Sequence, residues 1–345
     1  MDAGGSYLPI SRKLLNRHGR VNASLQTSPR PFITVKQVIS CSRRTDIPAH
    51  YLTWLIERLK EGHVQVTNPY SGKVMDVSLA PEHVMAIVLW SKDFGPFKDS
   101  YPANRALWDR YDLHFHFTLN HAPRLEPNVP PMRDRLDQAK WLIDTFGVER
   151  LNWRFDPIVF WEEEGVPTDN LGRFPLLLQQ MSQWGVRICT FSFAHWYGKC
   201  IGRAKKAGFR FIDPDEEEKK AIASGLVKEA RRHEITLMAC CNPYLDCVEG
   251  IERASCIDGN RIRGAGRYAM MDDSRYPRRP TRDGCGCRES IDIGSYTDHP
   301  CPHNCVYCYA NPAPIPPPLD PWTYWYSGWL TPNFRGSQMA PVNRI

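Results

Sequence analysis

The sequence predicts an α/β fold, a complete or partial (β/α) TIM-like barrel, followed by a C-terminal cysteine-rich segment. Short apolar runs alternate with amphipathic stretches of helical period, an order that builds a parallel sheet covered by helices. The runs are rich in β-branched and aromatic residues, as expected of strands buried on both faces. Seven of them fall within roughly 220 residues, a spacing that suits a barrel.

The strand candidates are residues 32–41, 84–90, 113–119, 151–155, 186–193 and 235–240, with a weaker one at 64–67. Between them, residues 49–61 follow Pro48 with helical spacing. Residues 131–146 and 174–184 end at Gly147 and Gly185, where helices commonly stop. Residues 213–233 open on Asp213-Pro214, a helix start, and continue as a charged amphipathic run. An open doubly wound sheet is the alternative. No G-x-G-x-x-G follows the first strand, which counts against a dinucleotide fold. The expected divisions are a polar arm at 1–33, a barrel-like domain at 34–255, an Arg-rich loop with the cysteine motif at 256–312, and a Pro/aromatic tail at 313–345 that straps over the body.

With 42% hydrophobic and 24% charged residues, the chain has material for a sizeable core. No apolar run is long enough to span a membrane. The N-terminus lacks the apolar region of a secretory signal, so a cytoplasmic location is expected. Twelve cysteines in a reducing compartment point to metal or cluster ligation rather than disulfides. Scattered ones such as Cys189, Cys200 and Cys247 read as lone buried thiols. The net charge of +6 is mild but uneven. Arg261, Arg263, Arg267, Arg275, Arg278, Arg279, Arg282 and Arg288 stand against only Asp272, Asp273 and Asp283. Such a stretch suits an anionic substrate, nucleic-acid phosphates, or an ordinary solvated loop.

The densest chemistry is Cys301-Pro-His-Asn-Cys305-Val-Tyr-Cys308, spaced C-x3-C-x2-C. Three thiolates on one tight loop suit three irons of a [4Fe–4S] cluster. The fourth iron is then left for S-adenosylmethionine, whose reductive cleavage makes a 5′-deoxyadenosyl radical. Tyr307 is placed to pack on the adenine. A zinc site, with His303 helping, is the competing use of these residues. Cys285 and Cys287 lie just upstream. With Cys256, and one of Cys41, Cys240 or Cys241, they would hold a second iron–sulfur cluster; otherwise they are free thiols.

C-x3-C-x2-C with an aromatic before its last cysteine resembles the radical SAM signature. The string Cys301-Pro-His-Asn-Cys305-Val-Tyr-Cys308-Tyr-Ala is similar to the cluster loop of the spore-photolyase-like branch. From about Ile39 to Asn311 the chain resembles the DUF1848 family. The resemblance lies in Ile39-Ser-Cys-Ser-Arg-Arg-Thr-Asp-Ile-Pro48, Phe117-Thr-Leu-Asn120, Trp153-Arg-Phe-Asp-Pro-Ile158, Cys256-Ile-Asp-Gly259 and the cysteine string. It implies a fold and a cluster, and no substrate. Two features depart from radical SAM enzymes. The cluster loop follows the barrel instead of the first strand, and no Gly-Gly-Glu follows the second strand.

In a barrel, catalytic side chains sit at the C-terminal ends of strands. Those positions carry Cys41, Ser42, Arg43, Arg44, Thr45, Asp46, Ser91, Lys92, Thr118, Asn120, Arg154, Asp156, Ser192, Cys240, Cys241 and Asn242. Arg43, Asp46, Lys92, Asn120, Arg154 and Asp156 are the candidate catalytic set, Arg43 and Arg44 being suited to grip a carboxylate or phosphate. Tyr307, Ser42, Arg44 and Ser192 are the candidate cofactor contacts; Cys301, Cys305, Cys308, Cys285, Cys287 and Cys256 are the candidate metal ligands. Ion pairing of Arg43, Arg44 or Arg154 with Asp46 or Asp156 is the plainer role for these residues. His114 and His116 alternate along one strand face and read as barrel-lining rather than metal-binding.

The sequence leaves two functions open. One is a radical SAM-like enzyme acting on a small molecule or modified nucleotide, with an electron donor such as flavodoxin or ferredoxin. The other is an electron-transfer or non-catalytic metal-site protein, nucleic-acid binding or repair-related.

Overall fold

The computed structural model describes residues 36–264, 278–279 and 282–313. The polar arm, Arg267, Arg275 and nearly all of the Pro/aromatic tail lie outside these residues. The dominant element is an eight-stranded sheet, parallel throughout. Its strands are β1 (Gln37–Cys41), β2 (Val84–Ser91), β3 (Leu113–Thr118), β4 (Leu151–Ile158), β5 (Ile188–Phe193), β6 (Thr236–Ala239), β7 (Ile251–Arg253) and β8 (Ile291–Asp292). The spatial order is 8-1-2-3-4-5-6-7. The chain adds strands in sequence, and the last returns beside the first. That is the order of a (β/α) barrel, but among the described residues no ladder joins β7 to β8, so the sheet has an open seam. The weak candidate at 64–67 belongs elsewhere. His63–Thr67 pairs antiparallel with Val74–Ser78 in a separate hairpin. It follows helix α1 (Leu52–Glu61) at once, with Gly62 in the left-handed conformation, and a short loop at 68–73 favours an antiparallel partner over a parallel one.

The flanking helices are α2 (Gly95–Trp108), α3 (Met132–Phe146), α4 (Phe174–Gln183), α5 (Gly198–Lys206) and α6 (Glu216–Arg231). Helix α6 opens with a reciprocal capping box between Asp215 and Glu218. Three acidic residues stand in its first turn, where the helix dipole favours them. Helix α2 carries Pro102 internally, which masks its helical pattern in the sequence. No helix among the described residues is long and apolar enough to cross a membrane.

The two faces of the strands differ, which corrects the expectation of apolar runs on both sides. Outward residues Ile87, Leu89, Phe115, Phe117, Trp153, Phe155, Phe191 and Phe193 join one core with the helices. Each such side chain contributes about 1.5–3 kcal/mol on burial. Inward positions on the central strands are polar: His114, His116, Asn152, Arg154, Thr190 and Ser192, all buried. They find hydrogen-bond partners in the interior, as buried polar groups must. Thr190 Oγ1 donates to Asn152 Oδ1 at 3.0 Å, and Asn152 Nδ2 lies 3.3 Å from His116 Nδ1. The histidines thus line the sheet interior, as their alternation suggests.

Although β8 has two residues, one carboxylate fixes it. Asp292 accepts from Ser42 Oγ at 2.7 Å, the Arg43 amide at 2.7 Å and Ser40 Oγ at 2.9 Å. Gly294 then passes so close that an added Cβ would fall 2.1 Å from Ser42 Oγ. Charge-assisted bonds of this kind contribute about 1.5–3 kcal/mol apiece. Asp292→Ala should therefore cost at least about 3 kcal/mol in urea unfolding; a loss below about 1 kcal/mol would show that β8 is held by other contacts.

Candidate functional site

The strand ends and the cysteine loop meet in two adjoining cavities. One, of about 640 Å³, is lined by Ser42, Arg43, Asp46, Lys92, Cys301, Cys305 and Cys308, among others. The second, of about 1070 Å³, is lined by Arg43, Arg154, Asp156, Ser192, Tyr307 and Arg282, and by Cys240, Cys241, Cys256, Cys285 and Cys287. Ser42, Arg43, Trp90, Lys92, Thr118, Cys308 and Tyr309 line both.

The cysteine loop is anchored at many points. Asn304 takes the left-handed conformation between Cys301 and Cys305. Cys301 N donates to Asn311 O at 2.8 Å, closing the loop on itself. Val306 N donates to Leu125 O at 2.8 Å, Asn128 Nδ2 to Pro302 O at 2.7 Å and Tyr309 OH to Arg43 O at 2.6 Å. Arg203 donates to Cys308 O. Burial pushes the Cys301 thiol up to about 12 and raises Cys305 and Cys308 as well. Buried thiols resist ionisation unless a cation or metal takes up the charge.

Asp46 ties the loop to the strands. Its carboxylate accepts from Ser91 Oγ at 2.7 Å, the Lys92 amide at 2.8 Å and the Ala49 amide at 3.1 Å. His303 Nε2 lies 2.9 Å from it, and His303 Nδ1 lies 3.2 Å from the Asn128 carbonyl. Two acceptors facing both ring nitrogens call for the imidazolium. Burial works against both charges, but the His303 contact holds Asp46 below the usual carboxylate range, and Asp46 holds His303 above the usual imidazole value. Both ring nitrogens of His303 are thus engaged within the protein.

Lys92 Nζ donates to Asn120 Oδ1 at 2.6 Å and Glu126 Oε1 at 2.9 Å. Tyr307 OH also donates to Glu126, and the Lys92 ammonium lies 5.7 Å from the Tyr307 ring centre. Tyr307 therefore sits inside a buried network that the sequence reading did not contain, since Glu126 lies on an irregular loop with no motif. Asn120 meets Lys92 without itself lining either cavity. Arg44 turns away to Gly294 O at 2.8 Å and braces the loop after β8.

Arg154 occupies the sheet interior. It pairs with Asp156, which also accepts from Ser192 Oγ. Its Nη1 donates to Cys256 Sγ at 3.0 Å. Trp90 stacks on His116 with centroids 4.2 Å apart, and the Arg43 and Arg154 guanidiniums lie 5.3 and 5.1 Å from its centre. Arg282 lies 5.0 Å from the Tyr309 ring centre. Other members of the arginine stretch serve the fold. Arg261 caps Leu151 O at 2.8 Å, and Arg279 pairs with Glu289.

None of the twelve cysteines is in a disulfide. Among the described residues no group of His, Cys, Asp and Glu is arranged to hold a single metal ion. Residues 38–310 match the family described as Domain of unknown function (DUF1848). No curated protein matches the chain.

Removing one partner of a buried ion pair costs about 3–5 kcal/mol. Asp46→Asn should lower stability by about that much and speed alkylation of Cys301 and Cys305 several-fold in the metal-free protein. Unchanged stability and unchanged alkylation would show that the loop is anchored independently of Asp46.

Proposed function

We propose, for a chain that belongs to the DUF1848 family, that Cys301, Cys305 and Cys308 hold a [4Fe–4S] cluster and that the protein is a radical SAM-like enzyme. The observation that carries this reading is the position of three undisulfided thiols on one braced loop, all lining a cavity at the C-terminal ends of the parallel strands. Active sites of barrel enzymes lie at that end. The donor set fits the group: three soft thiolates on one loop, with His303 committed to Asp46 and Asn128. Such a cluster, with one iron left open, supplies the electron that breaks a carbon–sulfur bond of S-adenosylmethionine.

The chain's own residues do the rest. Asp46 and His303 hold the loop in register with β1 and β2. Arg203 and the Asn128 amide grip the loop backbone on either side of Cys305. Arg43 and Arg282 bring positive charge to the cavities, and among the described residues Arg154 is the lining guanidinium that pairs with a cavity carboxylate, Asp156. This balance supports a substrate with an anionic group, such as a carboxylate or phosphate, and is compatible with a modified nucleotide. Asp156 and Ser192, hydrogen-bonded to each other, are placed to orient it. A one-electron donor of flavodoxin or ferredoxin type is the partner this chemistry needs.

The test is anaerobic reconstitution followed by incubation with S-adenosylmethionine and dithionite. We expect 5′-deoxyadenosine from the full chain, about four irons per chain at this loop, and loss of both in Cys305→Ala. A reconstituted cluster that neither binds nor cleaves S-adenosylmethionine would overturn the enzyme reading in favour of an electron-transfer or structural role.

A further inference from the structure

A second group of thiols lies away from the Cys301–Cys308 loop, at the open seam of the sheet. Cys240 and Cys241 follow β6, Cys256 follows β7, and Cys285 and Cys287 precede β8. They come from both sides of the seam. Among the described residues, backbone bonds across it run from the Gly286 amide to Ala254 O at 3.3 Å and from the Arg288 amide to Ile257 O at 2.9 Å. Ser255 Oγ adds a bond to Gly286 O at 2.9 Å.

The five thiols gather at one place. Cys240 Sγ lies 3.5 Å from Cys256 Sγ and 3.8 Å from Cys241 Sγ. Cys256 and Cys287 are buried in one small cluster, against which Cys240 and Cys285 pack. Cys41, weighed with this group from the sequence, is fully buried in the outward core instead. Five undisulfided thiols in one group exceed what packing needs, since a buried structural cysteine ordinarily stands among apolar neighbours. All five line one cavity. Soft thiolate sets select zinc or iron–sulfur clusters over hard cations. Zinc–thiolate bonds of about 2.3 Å place sulfurs about 3.8 Å apart in a tetrahedron, close to the separations of Cys240 from Cys256 and Cys241. The thiols touch one another without surrounding a common point, so binding requires a turn about their single side-chain torsion toward the cavity.

The charge needed to hold several thiolates is already arrayed there. Arg154 bonds Cys256 directly, and Arg43 and Arg282 line the same cavity. We propose that Cys240, Cys241, Cys256, Cys285 and Cys287 supply the ligands of a second, thiolate-bound metal site, zinc or an iron–sulfur cluster, which fastens β6 and β7 to the segment entering β8. This site stands whether or not the first loop carries out radical chemistry.

The experiment uses the full chain purified anaerobically and a variant with Cys301→Ser, Cys305→Ser and Cys308→Ser together. Zinc, iron and acid-labile sulfide are measured per chain. Cysteine protection from iodoacetamide is mapped by mass spectrometry before and after adding a chelator. We expect the triple variant to retain either about one zinc or about four irons with sulfide. Cys256 and Cys287 should be protected at least tenfold until the metal is removed, and Cys256→Ser with Cys287→Ser should abolish this metal while sparing the first. Zinc identifies a mononuclear site, and iron with sulfide a cluster; both support the proposal. A triple variant that melts like the parent but holds no metal overturns it. If the triple variant does not fold, the wild-type map decides: alkylation of Cys256 and Cys287 that is indifferent to chelator overturns it equally.

Discussion

The mouth of the sheet depends on one buried carboxylate. Desolvating an ionised carboxylate costs several kcal/mol unless its lone pairs are met, and Asp46 meets that cost with donors from three segments of the chain. The Ala49 amide belongs to its own helical turn, the Ser91 hydroxyl and Lys92 amide to the end of β2, and His303 to the cysteine loop. If any of these segments moves, the carboxylate loses a partner. The position of Cys301, Cys305 and Cys308 against the strands is thus an electrostatic consequence, reinforced by backbone bonds from the loop containing Leu125 and Asn128.

A second dependence runs through Asp292. By holding β8 against β1, it brings the chain that follows β8 to the end of the sheet where β1 finishes. The cysteine motif, late in the sequence, thus lies beside the segment that follows the first strand. A loop after the last strand and a loop after the first strand are neighbours in space when those strands pair. Order along the chain and place in the fold are therefore separate facts here, and the cysteine loop contacts residues that follow β1 despite lying some 250 positions later.

Much of this was legible from residue pattern. Residues 131–146 and 174–184 show helical spacing and stop at glycines, and their helices end within a residue of those limits. The β2 to β6 runs are apolar enough to be read as strands, because their outward residues and several inward ones are large and hydrophobic. The polar inward set escaped a both-faces-buried reading, because His116, Asn152 and Thr190 satisfy one another only after three strands pair. β8 and β7 are too short to carry periodicity. Arg43, Asp156 and the clustered cysteines could be singled out from residue type and spacing, and they line the two cavities. Glu126 and Asp292 were not, because each acts on groups far away in the chain and neither sits in a motif. Arg44 shows the converse: it stands beside Arg43 in sequence, yet the turn after β1 sends it to Gly294.

The pairing of β8 with β1 also bears on how the protein is made. Ribosomes release β1 through β7 first, and these strands can align before residue 285 has been translated. Both groups of clustered cysteines are completed only by the last part of the described chain, from Cys285 to Cys308. A nascent or prematurely terminated chain therefore presents Cys240, Cys241 and Cys256 without their partners and none of the Cys301–Cys308 loop. The arrival of β8 brings Cys285 and Cys287 to Cys240, Cys241 and Cys256, and the segment after it supplies Cys301, Cys305 and Cys308, so neither thiol set is complete until translation has passed the seam.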